Sequence, residues 1–378
     1  MIFRNGELFS GPGGIALGAK SAGFTDSKGE QWGFKHTWAN DFDRDTVETY
    51  KKNILNNPDA KTVFCENVSD FPIGDKNILP DIDILSFGFP CNDFSNVGKQ
   101  KGLDGVYGPL YTYGVKVLQD YQPKAFVAEN VGGLSSSNEG YALIKILKSL
   151  KDCGYTLVPN LYKFEEYGVP QTRHRIIIVG IRNDLYTEGI HFKVPAPTTP
   201  NQENYKTSYE AIMHPPIPPE APNNELTKQS KRVAERLSYI PEGENAWYIG
   251  VPEDLRLNVK GAKLSSIYKR LDRNKPAYTV TGSGGGGTHM YHWSENRALT
   301  NRERARLQTF PDNFVFCGSK ESVRKQIGMA VPPMGARVVF NALLKTFARI
   351  KYDSVKPTEK LQLNNLEHVS GKAIKSLV

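Results

Sequence analysis

The chain is poor in cysteine and in long apolar runs. Only four of its 378 residues are cysteines, Cys65, Cys91, Cys153 and Cys317, and no two stand as a CxxC pair. This argues against a zinc knot and a secreted disulfide framework, which need closely spaced thiols, so no metal site is expected. No stretch approaches the roughly 20 apolar residues of a membrane span, and the opening MIFRNGELFSGPGG has no sustained apolar run before its glycines. Secretion and membrane association are therefore not expected, and a reducing cytoplasm is. Negative charge is also in deficit: 40 acidic residues face 48 lysines and arginines, a net charge of +8. Such an excess favours a polyanionic partner, because cations that neutralise phosphates release condensed counterions.

What remains has ordinary globular composition, with 39% hydrophobic and 23% charged residues. The length allows one large domain and a smaller one. Up to about residue 185, short apolar runs (HTWAN at 36–40, IDILSFGF at 82–89, AFVAENV at 125–131, RIIIVGI at 175–181) alternate with amphipathic stretches. One of these, 141–154, has helical spacing and a closing glycine. The alternation predicts an α/β fold whose parallel sheet carries helices on both faces. Around Val194 the texture changes to PAPTTP and HPPIPPEAP, whose prolines cannot continue helices or central strands. A loop-rich module is expected over 186–296. Helical character returns in RALTNRERARLQTF, where Thr300 and Glu303 have capping-box spacing, and a second helix is expected from near Gly335 toward Ile350. The expected division is thus 1–185 completed by 297–350, a middle module of 186–296, and a tail of 351–378.

Two segments carry chemistry. ELFSGPGGIALGA sets Gly11, Gly13 and Gly14 between an apolar strand and a helix, a pattern that lets a ligand approach the backbone and a helix N-terminus. A tight strand-to-helix turn would look the same. Asp41, at the end of the next strand, suits a ribose hydroxyl pair, and Phe42 beside it could stack on a base; a turn aspartate and a core phenylalanine are the plain alternatives. In DILSFGFPCNDFSNVGK an apolar strand runs into Pro90 and Cys91, and a second strand ends in AENV, placing Glu129 at the same sheet edge. Strand ends of parallel sheets are where such folds place chemistry. Each residue alone would serve equally well as structure, the thiol as a small buried hydrophobe and the carboxylate as a solvated surface group.

Taken in order, the segments resemble the motifs of DNA (cytosine-5)-methyltransferases: FSGPGG, GFPCNDFS, AENV, QTRHR at 171–175, RALTNRERARLQTFP and QIGMAVPP at 326–333. The resemblance implies a Rossmann-like S-adenosylmethionine-dependent methyltransferase sheet with a smaller, irregular target-recognition domain. It implies transfer of a methyl group from S-adenosyl-L-methionine, leaving S-adenosyl-L-homocysteine, to C5 of a cytosine flipped out of double-stranded DNA. Cys91 would add to C6, Glu129 would hold N3 and the exocyclic amine, Arg175 would bind the O2 edge and Arg173 would help fix the site. Phe9, Gly11, Gly13, Gly14, Asp41, Phe42, Asn67 and Pro90 would surround the donor. In the middle module Lys269, Arg270, Arg273 and Lys275, with Thr281, Gly285 and Thr288, would meet DNA, although a solvated charge cluster beside a flexible turn would read the same way.

Several positions depart from the family pattern: Glu7 and Asn67 where Asp is usual, Asp41 where Glu is common, Asn92 where Gln follows the cysteine, and Met329 where an Asn approaches the donor. By analogy the partner besides DNA is a cognate restriction endonuclease acting on the same site. A transfer-RNA cytosine-5 methyltransferase and a non-catalytic DNA-binding relative are the alternatives. A dinucleotide-dependent dehydrogenase would not account for FPC, AENV and QTRHR together.

Overall fold

A computed structural model describes residues 1–89, 110–131, 141–258, 264–282 and 286–362. Compactness divides the chain into two units, 1–163 with 174–197 and 335–378, and 164–173 with 198–334. The expected division joins 297–350 to residues 1–185, whereas 297–334 fall in the second unit. In the fold this segment gathers with the proline-rich middle, because Arg302 and Arg306 bind backbone carbonyls there, among them Pro222 and Ile212.

The first unit is built on an eight-stranded sheet: β1 (Ile2–Leu8), β2 (Gly23–Thr25), β3 (Gln31–Asp41), β4 (Val63–Cys65), β5 (Ile84–Gly88), β6 (Ala125–Val131), β7 (Tyr155–Lys163) and β8 (His174–Arg182). The order is β2-β3-β1-β5-β6-β8-β7, with β4 beside β3. The pairs β3–β1, β1–β5, β5–β6 and β3–β4 are parallel, but β8 runs antiparallel to both β6 and β7 and β2 antiparallel to β3. The sheet is therefore mixed rather than wholly parallel. The sequence hid this because a buried antiparallel strand such as RIIIVGI is as continuously apolar as a parallel one.

Between the strands lie α1 (Gly14–Ser21), α2 (Arg44–Tyr50), α3 (Tyr111–Tyr121), α4 (Tyr141–Asp152) and the short α5 (Asn183–Thr187). A core of Leu85, Phe87, Phe126, Ile176 and Ile178 from the strands meets Val117, Leu118, Leu143 and Leu147 from α3 and α4. The close seat of α3 on β5 depends on Gly114, where a Cβ would lie 2.5 Å from the Phe87 ring. The end of the described chain is fastened to this unit: β10 (Ser354–Val355) pairs with β9 (Val194–Pro195), Thr358 Oγ1 bonds Asn160, and Leu361 is buried in the core.

The second unit has little regular structure, as its prolines foretold. Its helices are α6 (Ser208–Met213), α7 (Lys231–Ser238), α8 (Asn301–Leu307) and α9 (Lys320–Met329); the long α10 (Pro333–Phe347) opens at its boundary. The Thr300–Glu303 capping box forms as the spacing predicted. One small core gathers Leu237, Ile240, Ala246, Val251, Leu255, Tyr268, Tyr291 and Ala298. Against the expectation of no span-like stretch, Lys320–Phe347 reaches the length and hydropathy of a membrane helix, yet 72% of its most apolar window is buried. It consists of α9 and α10, separated at residues 330–332.

Candidate active site and donor loop

Parallel strands β1, β3, β5 and β6 end at one edge of the sheet, and the polar residues of the site stand there. Leu8 lies opposite both Asn40 and Phe87, and Gly88 lies opposite Glu129. After β1 the chain turns through positive φ at Phe9, Gly11 and Gly13 before Gly14 opens α1. Two of these glycines are needed for different reasons. Gly13, at φ 94, would bring a Cβ to 2.7 Å from Ile54 Cγ1, whereas a Cβ on Gly11 would meet no described atom within 4 Å. The backbone at Gly11 thus borders open space, as a ligand cradle requires.

Asp41 closes the loop from the neighbouring strand. Its Oδ2 accepts the Gly11 N–H at 2.9 Å and its Oδ1 accepts the Asp43 N–H at 3.0 Å. Next to it Phe42 is 64% exposed, too much for a core residue and suited to a flat ligand. Asn67 is exposed, and its Oδ1 accepts the Ser69 N–H at 3.2 Å. Cys65, not singled out by the sequence, lies with its Sγ 3.8 Å from the Phe42 carbonyl oxygen.

Beneath the loop Glu7 is 1% exposed; its Oε2 accepts the Tyr50 hydroxyl at 3.1 Å, and Oε1 has no hydrogen-bond partner among the described residues. Burial pushes its carboxyl up to about 8, against the Tyr50 hydrogen bond and aided by the negative charge of Asp41. Tyr50 also contacts His36 Nδ1 at 3.2 Å, and burial holds His36 down at about 4. In sequence Glu7 stands out only as a departure from the family pattern. Its link to Tyr50 spans 43 residues and left no local signal.

Glu129 and Arg175 form an ion pair, with Arg175 Nε 3.0 Å from Glu129 Oε1 and both side chains 14% exposed. They meet because β6 and β8 are antiparallel neighbours, with Val131 opposite Arg175 and Glu129 opposite Ile177. Burial pushes the Arg175 guanidinium down, and Glu129 opposes that shift. Gly88 keeps the space beside Glu129 open: a Cβ there would stand 3.1 Å from Glu129 Oε2. Cys91 and Pro90, three and two residues beyond Gly88, lie outside the described residues, as do Asn92 and Gly285.

Arg173 takes a different course from Arg175. It is 1% exposed in the second unit, where Nη1 donates to Val280 O and Nη2 to Gly328 O and Ala330 O, all within 3.0 Å. Its buried neighbour Gln171 donates to Leu307 O and Gln308 Oε1 and accepts the Val280 N–H. The QTRHR segment thus pins backbone with two residues, and only its last arginine meets Glu129. Nearby, a Cβ on Gly328 would lie 1.9 Å from Gly282 N, so α9 can approach residues 281–282 only with glycine there. Met329 beside it is 57% exposed.

The expected DNA-facing residues divide in the same way. Arg270 is 3% exposed and donates to His292 O, Glu295 O, Leu237 O and Asn296 Oδ1, so it is an internal staple and not a groove contact. A buried guanidinium needs such acceptors, a demand the sequence cannot display. Arg273 pairs with Glu242, and Lys275, its side chain 70% exposed, pairs with Asp272. Lys269 lies 5.0 Å from the centroid of the Tyr278 ring. Thr281 and Thr288 are exposed.

Comparisons with known proteins identify the family. The family model for C-5 cytosine-specific DNA methylases matches residues 3–345. The chain is 57% identical over 363 residues to Type II methyltransferase M.BbvI of Brevibacillus brevis, covering 94% of each protein. It is 43% identical to Type II methyltransferase M.NgoFVII of Neisseria gonorrhoeae, covering 94% of this chain and 90% of that one. In fold it matches the S. pombe Dnmt2 methyltransferase, with a TM-score of 0.57 at 18% identity, over 92% of this chain and 100% of that one. A chain encoded within an E. coli prophage superposes with a TM-score of 0.68 at 22% identity, over 92% of this chain and 99% of that one. The family uses S-adenosylmethionine to methylate cytosine at C5 in DNA, and the protein is a DNA (cytosine-5-)-methyltransferase belonging to the C-5 cytosine-specific DNA methylase family.

Proposed function

We propose that the chain is the modification enzyme of a restriction-modification system, methylating one cytosine of a specific duplex sequence through a covalent bond from Cys91 to C6. The reading rests above all on the β5–β6 register, which sets Gly88 opposite Glu129 and so brings the strand leading to Cys91 beside a carboxylate, 14% exposed, that is already paired with Arg175. The relatives M.BbvI and M.NgoFVII are Type II methyltransferases, which supports a cognate endonuclease acting on the same site.

The donor residues fit S-adenosylmethionine: open space at Gly11, the exposed Phe42 ring and the Asp41 carboxylate at a strand end suit a nucleoside with a charged tail. When bound, that molecule supplies a methyl carbon on a positively charged sulfur. Phe42 would stack on its adenine, Asp41 would accept from the ribose, and Phe9, Gly11, Gly13 and Gly14 would border the methionine part, with Asn67 and Pro90 nearby.

On the flipped cytosine, the Cys91 thiolate would form a bond to C6, and the electron pair of the C5–C6 double bond would make C5 nucleophilic. Glu129 would meet N3 and the exocyclic amine, offsetting the charge that builds on the ring, while Arg175 would hold both Glu129 and the O2 edge. Loss of the C5 proton and departure of Cys91 would then restore the double bond. Arg173 would serve by fixing residues 280 and 328–330. The first unit would carry the chemistry, and the proline-rich second unit would carry target recognition through Lys269, Arg273, Lys275, Thr281, Gly285 and Thr288.

Duplex DNA containing 5-fluorocytosine tests the covalent step, because fluorine cannot leave as a proton does. Wild type with donor should give an adduct stable to denaturation, and Cys91→Ser should give none while still binding donor. Recovery of free wild-type protein alone would reject the thiol addition.

A further inference from the structure

A hydrogen-bonded relay runs from beneath the donor loop to the surface of the first unit. Glu7 Oε2 meets the Tyr50 hydroxyl at 3.1 Å, that hydroxyl meets His36 Nδ1 at 3.2 Å, and His36 Nε2 meets Thr62 Oγ1 at 2.9 Å. Its inner end, Glu7, is buried and its outer end, Thr62, is exposed. The relay also underlies the loop, since a Cβ on Gly13 would stand 3.1 Å from Cδ2 of the Tyr50 ring. Glu7 lies opposite Ala39 in the β1–β3 register, so Asp41, two positions further along β3, stands on the same face of the sheet, roughly 7 Å beyond. On the other side β5 sets the uncharged Ser86 opposite Glu7. The titratable groups facing Glu7 are therefore Tyr50 and Asp41, with His36 behind Tyr50, and none of these is a cation at neutral pH.

Every link of the relay can reverse. With Glu7 ionised, Thr62 donates to His36 Nε2, the Nδ1–H donates to Tyr50, and Tyr50 donates to the carboxylate. With Glu7 protonated, Glu7 donates to Tyr50, Tyr50 donates to Nδ1, and the Nε2–H donates to Thr62. Both arrangements keep the imidazole neutral, as its burial demands. They differ by one proton: on passing from the second to the first, each group hands on a proton as it receives one, and Thr62 Oγ1 gives one to water. Burial with no cation beside it favours protonated Glu7, in keeping with its value of about 8. A positive charge arriving at the loop would favour the carboxylate instead. We propose that the Glu7–Tyr50–His36–Thr62 relay releases a proton to solvent when the cationic methyl donor binds and recovers it once the donor has become an uncharged thioether.

This rests on the proposed seating of the donor's methionine part at Gly11, Gly13 and Gly14, and it gives a role to Tyr50, His36 and Thr62, which no motif marked. The consequence is discrimination between donor and product, which differ by one methyl group and the charge it brings to sulfur. By linkage, a ligand that favours the carboxylate is bound more tightly by the carboxylate, so the neutral product gains far less from it. Glu7 is a positioning residue here, acting across the loop by its charge without touching substrate.

Calorimetric titration of S-adenosylmethionine and of S-adenosylhomocysteine into the full chain, in buffers of different ionisation enthalpy, counts the protons released on binding. Near neutral pH wild type should release roughly one proton more with the donor than with the product. Donor affinity should rise by up to about tenfold per pH unit from about pH 6 to 8, and product affinity far less. Glu7→Gln should bring the two counts together and flatten the rise. Tyr50→Phe loses a hydrogen bond that favours the carboxylate, so it should move the rise to higher pH, and it carries the test should Glu7→Gln fail to fold. Equal counts for donor and product in wild type, a difference that survives in Glu7→Gln, or an unmoved rise in Tyr50→Phe would overturn the inference while leaving the donor site in place. Binding of neither molecule would overturn the reading of the donor site and this inference with it.

Discussion

Glu129 and Arg175 are each a liability when buried alone, and the pair exists because each removes the other's cost. Glu129→Gln keeps the shape but leaves Arg175 without an opposing charge. It should lower methylation by roughly 100-fold or more, the scale at which a positioned acid acts, and destabilise the fold by about 3 kcal/mol. Single-turnover methylation and denaturant unfolding measure the two effects; near-wild-type turnover would remove Glu129 from the chemistry. Glu7 gives a pH signature of the opposite sign to an ordinary surface carboxylate. Its folded value of about 8 lies above the ordinary 4.5, so the folded state holds an extra proton between these values. The stability it contributes is complete below pH 4.5 and is lost as pH rises toward 8. Glu7→Gln keeps an acceptor for Tyr50 and removes the titration. Unfolding free energies of the variant should therefore fall less steeply from pH 5 to 8 than those of wild type, and parallel curves would refute the assignment. At this scale the sequence displayed Glu129 and Asp41, which end strands, but not the burial that perturbs Glu7 or satisfies Arg270.

Among the elements, α9 shows how one missing side chain sets an approach. Gly328→Ala would place a methyl 1.9 Å from Gly282 N, a clash with backbone that cannot yield as a side chain can. The substitution should lower the melting temperature and release the carbonyls that Arg173 holds at residues 328 and 330, seen as faster amide exchange over 280–282 and 326–330. An unaltered exchange pattern would contradict the Arg173 staple. The end of the described chain is likewise part of the first unit. Leu361→Ala should cost about 2–4 kcal/mol through the cavity it leaves, whereas a frayed arm would lose almost nothing. Periodicity located β6, β8, α4 and the α8 cap to within a residue or two, because each carries its own pattern or cap. It did not find the docking of 351–362, whose partners Val194 and Asn160 are far away in sequence.

For the whole molecule, the net charge of +8 and the DNA substrate together predict affinity that falls linearly with log salt, so duplex binding should lose orders of magnitude between about 50 and 200 mM salt. Filter binding with duplex and transfer RNA in parallel would check this, and preference for the RNA would revive the alternative drawn from the sequence. The sequence by itself determined the reaction class, because donor loop, cysteine strand and glutamate strand each occupy a contiguous stretch whose order is preserved along the chain. Tertiary structure decided which charges are available. Of the arginines in QTRHR one faces Glu129 and one is walled into backbone carbonyls, and among the basic residues of the middle module Arg270 is internal while Lys275 reaches solvent. The physical reason is that a charge's role depends on what surrounds it, and that is set by contacts between residues tens to hundreds of positions apart.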